Sequence, residues 1–307
     1  LKIIRQKKLL KYYVENTPMP NQLKTDPTRT TTLQKQFMAD MRRRFKWLSK
    51  NIQELVVDDD AFGLGELSIV SLNQQVPFQA WRFNTDAQKV QSYRKWLTQQ
   101  VNAGILNPVG GISGKPWTAP YIESAYKKGA IRAYTDLRVE DLVNQPTVFE
   151  GGRAEFIRTA FNQPILASKV ELLYERSFTE LKGVSAAMDQ QMSRILADGL
   201  VQGNGPAAIA RSLRDNVTKL TKTRALVIAR TEIVRAHAEG QLDAFVLLGV
   251  KEVGILAEWA TAGDERVCPE CGALEGIVMT IEEARNAIPR HPNCRCAWIP
   301  ASKDRKE

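Results

Sequence analysis

The residues with the clearest capacity for chemistry crowd into one C-terminal block. All four cysteines of the 307-residue chain, and one of its two histidines, lie between Cys268 and Cys296. Cys268-Pro-Glu-Cys271-Gly272 is followed by His291-Pro-Asn-Cys294-Arg295-Cys296, with nineteen residues between Cys271 and His291. Two thiolates two residues apart on a tight turn can bind one tetrahedral ion, and a second pair on a distant turn completes its shell. Gly272 suits such a knuckle, because the chain must turn while its amides face the sulfurs. Zinc needs four ligands and five candidates are present. Cys268 and Cys271 form the primary pair, and two of His291, Cys294 and Cys296 complete the set. The fifth residue is then an outer donor or a free thiol. Local disulfides are the competing use of these residues, although so confined a set argues against a chain-wide disulfide framework. A structural ion is expected, since catalytic zinc keeps an open position beside acid–base groups. In small zinc modules metal binding supplies an apparent ~10–16 kcal/mol, enough to fasten a segment poor in apolar residues.

Other chemistries fit less well. His237-Ala238-Glu239 ahead of Cys268-x2-Cys271 echoes zinc-dependent deaminases of nucleobases or nucleosides, where His and two Cys hold the ion and Glu moves protons. Here the proline follows the first cysteine, His237 falls within a long helical pattern, and His291, Cys294 and Cys296 are left unused. Asp58-Asp59-Asp60 lacks the glycine and terminal glutamate of a calcium loop and reads as a spacer. Gly110-Gly111 with Gly114-Lys115 has the wrong spacing for a phosphate loop. Neither histidine stands beside a recognisable nucleophile. No residue is assigned a catalytic role, and the chain reads as non-enzymatic.

Charge supplies a second candidate site. The net charge is +9, but residues 1–50 hold 13 Lys+Arg against 3 Asp+Glu, leaving a nearly balanced 30 against 31 in the remainder. A basic block on a neutral body is the footprint of a polyanion-binding arm, or of a segment that docks on an acidic protein surface. The candidate nucleic-acid contacts are Lys7, Lys8 and Lys11, then Arg42, Arg43, Arg44 and Lys46.

Helices must position both sets. Leu33, Phe37, Met41, Phe45, Leu48, Ile52 and Leu55 recur in steps of three and four, which predicts a helix from about Leu33 to Val57, capped near Thr30-Thr31-Thr32. A second helix is predicted from Thr85 to Val101. From about Arg153 to Val250 the pattern is almost continuously helical, broken at Gly199–Gly205 and reopened by Pro206 at a first helical turn. The stretches Ala207–Leu220 and Lys222–Ala236 superficially resemble a helix-turn-helix, for which packed helical hairpins are the commoner explanation. Lys251–Thr261 has strand-like content. The expected fold is mainly α with a small α+β C-terminal module. The expected segments are a basic helical arm (1–60), a mixed α/β or irregular middle region (61–150), a helical domain (151–250) and the Cys/His-rich module (251–307). No run approaches the ~18 apolar residues of a membrane span, and Leu1-Lys2-Ile3-Ile4-Arg5 is unlike a secretory leader. A soluble chain is expected.

An ordered set of motifs carries a resemblance. Ala229-Arg230-Thr231-Glu232 on a helix is followed by Trp259-x-Thr261 and Asp264-x-Arg266-x-Cys268-x2-Cys271-x2-Leu274-x-Gly276. His291-Pro-Asn-Cys294-Arg295-Cys296 ends the set. Together they resemble the phage Mu protein F-like minor head proteins over about residues 155–300. The resemblance implies a head-morphogenesis protein of a tailed phage. Its location would be the virion, at the head interior or portal vertex, and the host cytoplasm during assembly. The implied partners are the portal protein and packaged double-stranded DNA, with major capsid or scaffolding protein as further candidates. Assembly in a reducing cytosol favours zinc over disulfides. Arg230 and Glu232, two positions apart on a helix, cannot pair with each other. They are expected to anchor the helix to the C-terminal module through Asp264, Arg266 or Arg295.

Overall fold

The computed structural model describes residues 26–64, 85–107, 115–139, 152–248 and 255–302. Lys7, Lys8 and Lys11 lie outside these residues. Helix α1 (Thr31–Gln53) buries Leu33, Phe37, Met41, Phe45, Leu48 and Ile52, the stripe read from the sequence, and closes in a π-helical turn (Glu54–Asp58). Its cap differs from expectation. Thr30 makes no side-chain cap bond. Asp26 instead accepts the Thr31 amide at 2.9 Å, because a carboxylate answers both the free N–H groups and the helix dipole. Helix α2 (Asp86–Gln100) is capped by Thr85, whose hydroxyl accepts from the Gln88 amide at 3.3 Å.

Helix α3 (Ala119–Val139) occupies the middle region, whose described residues are helical wherever they are regular. This helix buries Ala125, Ala130 and Ala133 beside Tyr126 and Tyr134, and a seam of small residues shows little hydropathy contrast in a sequence. Helices α4 (Arg153–Phe161), α5 (Pro164–Val201), α6 (Pro206–Leu220) and α7 (Leu226–Leu247) follow. Prolines at the first turns of α5 and α6 cost nothing there, since those N–H groups have no helical partner. A π-helical turn (Thr221–Ala225) runs α6 directly into α7. The pair is a bent helical rod and lacks the sharp turn of a helix-turn-helix.

Helix α7 organises the molecule. Its first half joins α1, α2, α5 and α6 in one apolar core, and its second half joins α3, α4 and the C-terminal module in another. Helices α3 and α7 approach closely because each presents a glycine at the crossing. A Cβ on Gly129 would collide with the His237 carbonyl oxygen, and one on Gly240 with the Tyr126 carbonyl oxygen. Gly240→Ala is therefore expected to destabilise. Alanine gains ~1 kcal/mol of helix propensity, but a clash with unyielding backbone falls toward the upper end of the ~1–3 kcal/mol overpacking range. A net loss of about 1–2 kcal/mol should lower the urea midpoint without changing the slope.

The C-terminal module holds β1 (Ile255–Ala260), β2 (Val278–Met279) and β3 (Ala297–Ser302) in an antiparallel sheet of order β2-β1-β3. Trp259 on β1 lies opposite Trp298 on β3, their rings edge-to-face at 5.4 Å. Two short helices, α8 (Pro269–Gly272) and α9 (Ile281–Ala284), punctuate the loop from β1 to β3. The architecture is mainly helical with a small β-containing C-terminal module, as expected. Among the described residues no helix is long and apolar enough to cross a membrane.

Candidate functional site

The five candidate ligands converge. Cys268 caps α8, its Sγ accepting the Cys271 amide at 3.4 Å. The same turn carries the Cys271 side chain inward, where it is buried. His291 Nε2 lies 3.1 Å from Cys268 Sγ and 3.2 Å from Cys271 Sγ, and Cys271 Sγ lies 3.9 Å from Cys294 Sγ. The ligand atoms form two compact triads, Cys268–Cys271–His291 and Cys271–Cys294–Cys296, which share Cys271. All four cysteines are free thiols.

A tetrahedral ion with Zn–S near 2.3 Å and Zn–N near 2.0–2.1 Å sets S···S at about 3.8 Å and S···N at about 3.5 Å. The observed separations lie within a few tenths of an ångström of those values. His291 Nδ1 meets the Pro292 carbonyl oxygen at 2.8 Å. A proton held there leaves Nε2 unprotonated toward the sulfurs, which is how ligand histidines are usually oriented. The electrostatics point the same way. Hydrogen bonding from Cys296 holds the Cys294 thiol down at about 5, whereas burial and the Cys294 thiolate push Cys271 up to about 12. Cys296 is raised as well, first by its bond to Cys294. One thiolate suppresses ionisation of its neighbours, a repulsion that a bound divalent cation would relieve. The donor set fits a metal ion.

Polar side chains brace this pocket. Arg295 grips Asp264 with two bonds of 2.7 and 2.5 Å, and Arg266 adds a third at 2.8 Å. These cations, Arg295 first, hold the Asp264 carboxyl well below the usual carboxylate range. The loop before Cys268 is thus stapled to the residue between Cys294 and Cys296. Asp264, Arg266 and Arg295 come together, and neither Arg230 nor Glu232 makes its contact through them. Arg230 reaches the module through the Asn293 side-chain oxygen at 3.2 Å, and Thr231 accepts the Asn293 amide at 3.1 Å. Glu232 turns away to Arg235 (3.4 Å) and Arg176 of α5 (3.6 Å). Two positions along a helix rotate a side chain by more than half a turn, so the neighbours serve different interfaces. Thr231 and Asn293 were missed as a contact, although both stand inside the motifs quoted above. Asn293 takes a left-handed φ of 62°, which asparagine tolerates better than most residues.

Two further contacts dock the module on α7. The Gln241 side chain bonds the Trp298 backbone on both sides, at 2.7 and 3.1 Å. Arg285 bridges Glu239 (2.9 Å) and Asp243 (2.5 Å), and Asp243 also accepts from Lys169 (2.6 Å) and the Tyr126 hydroxyl (2.5 Å). Glu239 is thereby committed to Arg285 and to the Asn286 amide. His237 belongs to neither ligand triad. Its ring is fully buried, and the adjacent Gln241 is already committed to Trp298. The deaminase arrangement, with His237 beside Cys268 and Cys271, is not formed among the described residues.

His237 nevertheless predicts an acid response. Burial, then repulsion from Arg132 and Lys128, holds its pKa down at about 3. An unfolded histidine protonates below about 6.5. Between those values the unfolded chain binds the extra proton, so stability falls as pH drops through the window and the contribution levels off near pH 3. At pH 4.5 the loss should be roughly 2–3 kcal/mol at 1.36 kcal/mol per unit. His237→Phe should flatten the fall in thermal midpoint between pH 6.5 and 4.5, a window above the more acidic range in which the depressed Asp264 carboxyl loses its contribution. An unchanged slope would refute the assignment.

The α1 cations divide. Arg42 and Lys46 are exposed and face a cleft against α6. Arg43 pairs with Asp40. Arg44 folds inward, bonded to the Gly104 carbonyl at 2.6 Å with its guanidinium 4.2 Å above Trp117.

Fold and site together define a helical protein with a Cys/His-clasped C-terminal module. Residues 190–299, from the second half of α5 into β3, match the family described as phage Mu protein F like protein, and this part of the chain is phage Mu F-like. No curated protein and no solved structure matches the chain.

Proposed function

We propose that the chain acts as a head-morphogenesis protein of a tailed phage, docking at the portal or inner head wall and contacting packaged DNA during assembly or genome delivery. The observation that carries this reading is the family match over residues 190–299, which spans the clasp and the α7 residues that hold it. The role is architectural. The ion is structural zinc, held by Cys268, Cys271, His291 and Cys294, with Cys296 as the donor behind Cys294. That set takes the three short separations among its ligand atoms into one tetrahedron. Four protein ligands leave no open position for substrate or water. Zinc would neutralise the thiolates and tie α8 to the turn before β3.

Co-expression of the tagged chain with the portal protein of the same phage tests the docking. Co-purification that survives nuclease treatment is expected. Absence of a complex, together with normal particles from a phage lacking the gene, would refute it. Elemental analysis should find one zinc per chain, and Cys296→Ser should retain it.

A further inference from the structure

One face of the molecule gathers positive charge from distant parts of the sequence. Arg42 and Lys46 stand one turn apart on α1, Arg211 and Arg214 on α6, and Lys222 on the π-helical turn, around an open cleft of about 580 Å³. Asp215 is the single carboxylate on its wall. All five cations are exposed, and among the described residues none has a carboxylate within ion-pair distance. Arg214 bonds only the neutral Gln53 side chain, at 2.7 Å. Some surface cations elsewhere are matched, as in Arg94–Asp189, Lys115–Glu123 and Arg158–Glu155, and among the described residues single unmatched ones such as Lys95 and Arg194 do not surround a cleft of this kind. Five unmatched like charges around one cleft repel one another and favour a polyanion.

The floor decides which polyanion. Phe45 and Val217 are 1% exposed and Leu226 is 5% exposed, so no aromatic face is offered on which an unpaired base could stack. Ser49 and Thr218 on the wall add neutral hydroxyl donors, which together with Arg and Lys are the usual partners of phosphate oxygens. We propose that this cleft, built by Arg42, Lys46, Arg211, Arg214 and Lys222, grips the phosphate backbone of duplex DNA without reading its sequence. The inference rests on the DNA-contact reading above and places that contact on the folded body, including three cations outside the basic N-terminal block.

Binding of a fluorescent mixed-sequence duplex to the full chain, measured by anisotropy across NaCl, tests it. Five phosphate contacts predict a log–log salt slope near −4.5, or about 500-fold weaker binding at 200 than at 50 mM salt. R211Q/R214Q/K222Q, with its helicity and metal content checked against the parent, should lower affinity and flatten the slope by about 2.7. A K7Q/K8Q/K11Q variant separates the arm from the cleft. If the parent binds duplex and the cleft variant keeps the parent slope, the cleft is wrong while DNA contact stands. If the parent fails to bind duplex even at 50 mM salt, both fall. Displacement of the duplex by polyglutamate at equal charge concentration would assign the cleft to acidic polypeptides and overturn the phosphate reading.

Discussion

Cys271→Ser should empty the metal site and unfasten the C-terminal module while the helical body persists. Cys271 is the residue common to both ligand triads, so no remaining set of four preserves the tetrahedron inferred from the separations. Metal binding in such modules is worth an apparent ~10–16 kcal/mol, comparable to the whole stability of ~5–15 kcal/mol typical of a domain. The segment that it fastens has few large apolar side chains besides Trp259, Trp298, Ile281 and Ile288. Elemental analysis should show loss of the ion. Amide exchange should accelerate through residues 255–302 and remain slow in α5 and α7. A strong chelator should reproduce the effect in the parent chain. Full protection of residues 255–302 in metal-free protein would show that apolar packing alone holds the module, and the structural role of the ion would be lost.

Asp243→Ala is expected to destabilise the chain by about 3 kcal/mol. Asp243 is 4% exposed and gathers Tyr126, Lys169 and Arg285 from three different parts of the fold. Removing one member of a buried pair costs ~3–5 kcal/mol, because the partner charge is left without compensation. The lower end applies here. Lys169 is 41% exposed and can turn to water, and Arg285 retains Glu239. The Tyr126 hydroxyl has no such escape, since its residue is 1% exposed, so the remaining cost falls on α3. A double-mutant cycle with Arg285→Ala should show coupling, because the two side chains share one network. Denaturant midpoints measure it, and a loss below about 0.5 kcal/mol, the ordinary range for surface substitutions, would contradict the network's role.

The two predictions concern the same attachment from opposite sides. A metal ion at the Cys/His cluster would tie the module to itself. Asp243, Glu239, Gln241, Arg230 and Thr231 tie it to α7. Because α7 also completes the core shared with α1 and α6, the clasp and the cationic cleft are mounted on one helix.

What the sequence by itself determined is local in its physics. Side chains two residues apart on a turn are brought together by a few backbone dihedrals, so Cys268–Cys271 and His291–Cys294 were legible as candidate metal ligands before any packing was known. The α1 stripe and the prolines opening α5 and α6 were legible for the same reason, since helical periodicity and first-turn tolerance act within one or two turns. Tertiary structure alone decided the rest. Arg42 and Arg44 are neighbours in one basic run, yet one lines an open cleft and the other lies against Trp117. Which way each points depends on what packs against α1. The pairing of Thr231 with Asn293 and of Asp243 with Lys169, and the meeting of Arg42 and Arg211 on the wall of one cleft, join residues scores of positions apart. Such contacts cost loop-closure entropy and form only when the buried surfaces of the whole fold repay it. Helix α3 is the clearest case. Its alanines and Gly129 carry little hydrophobic signal of their own, and they make a helix interface only because α7 brings Gly240 to meet them.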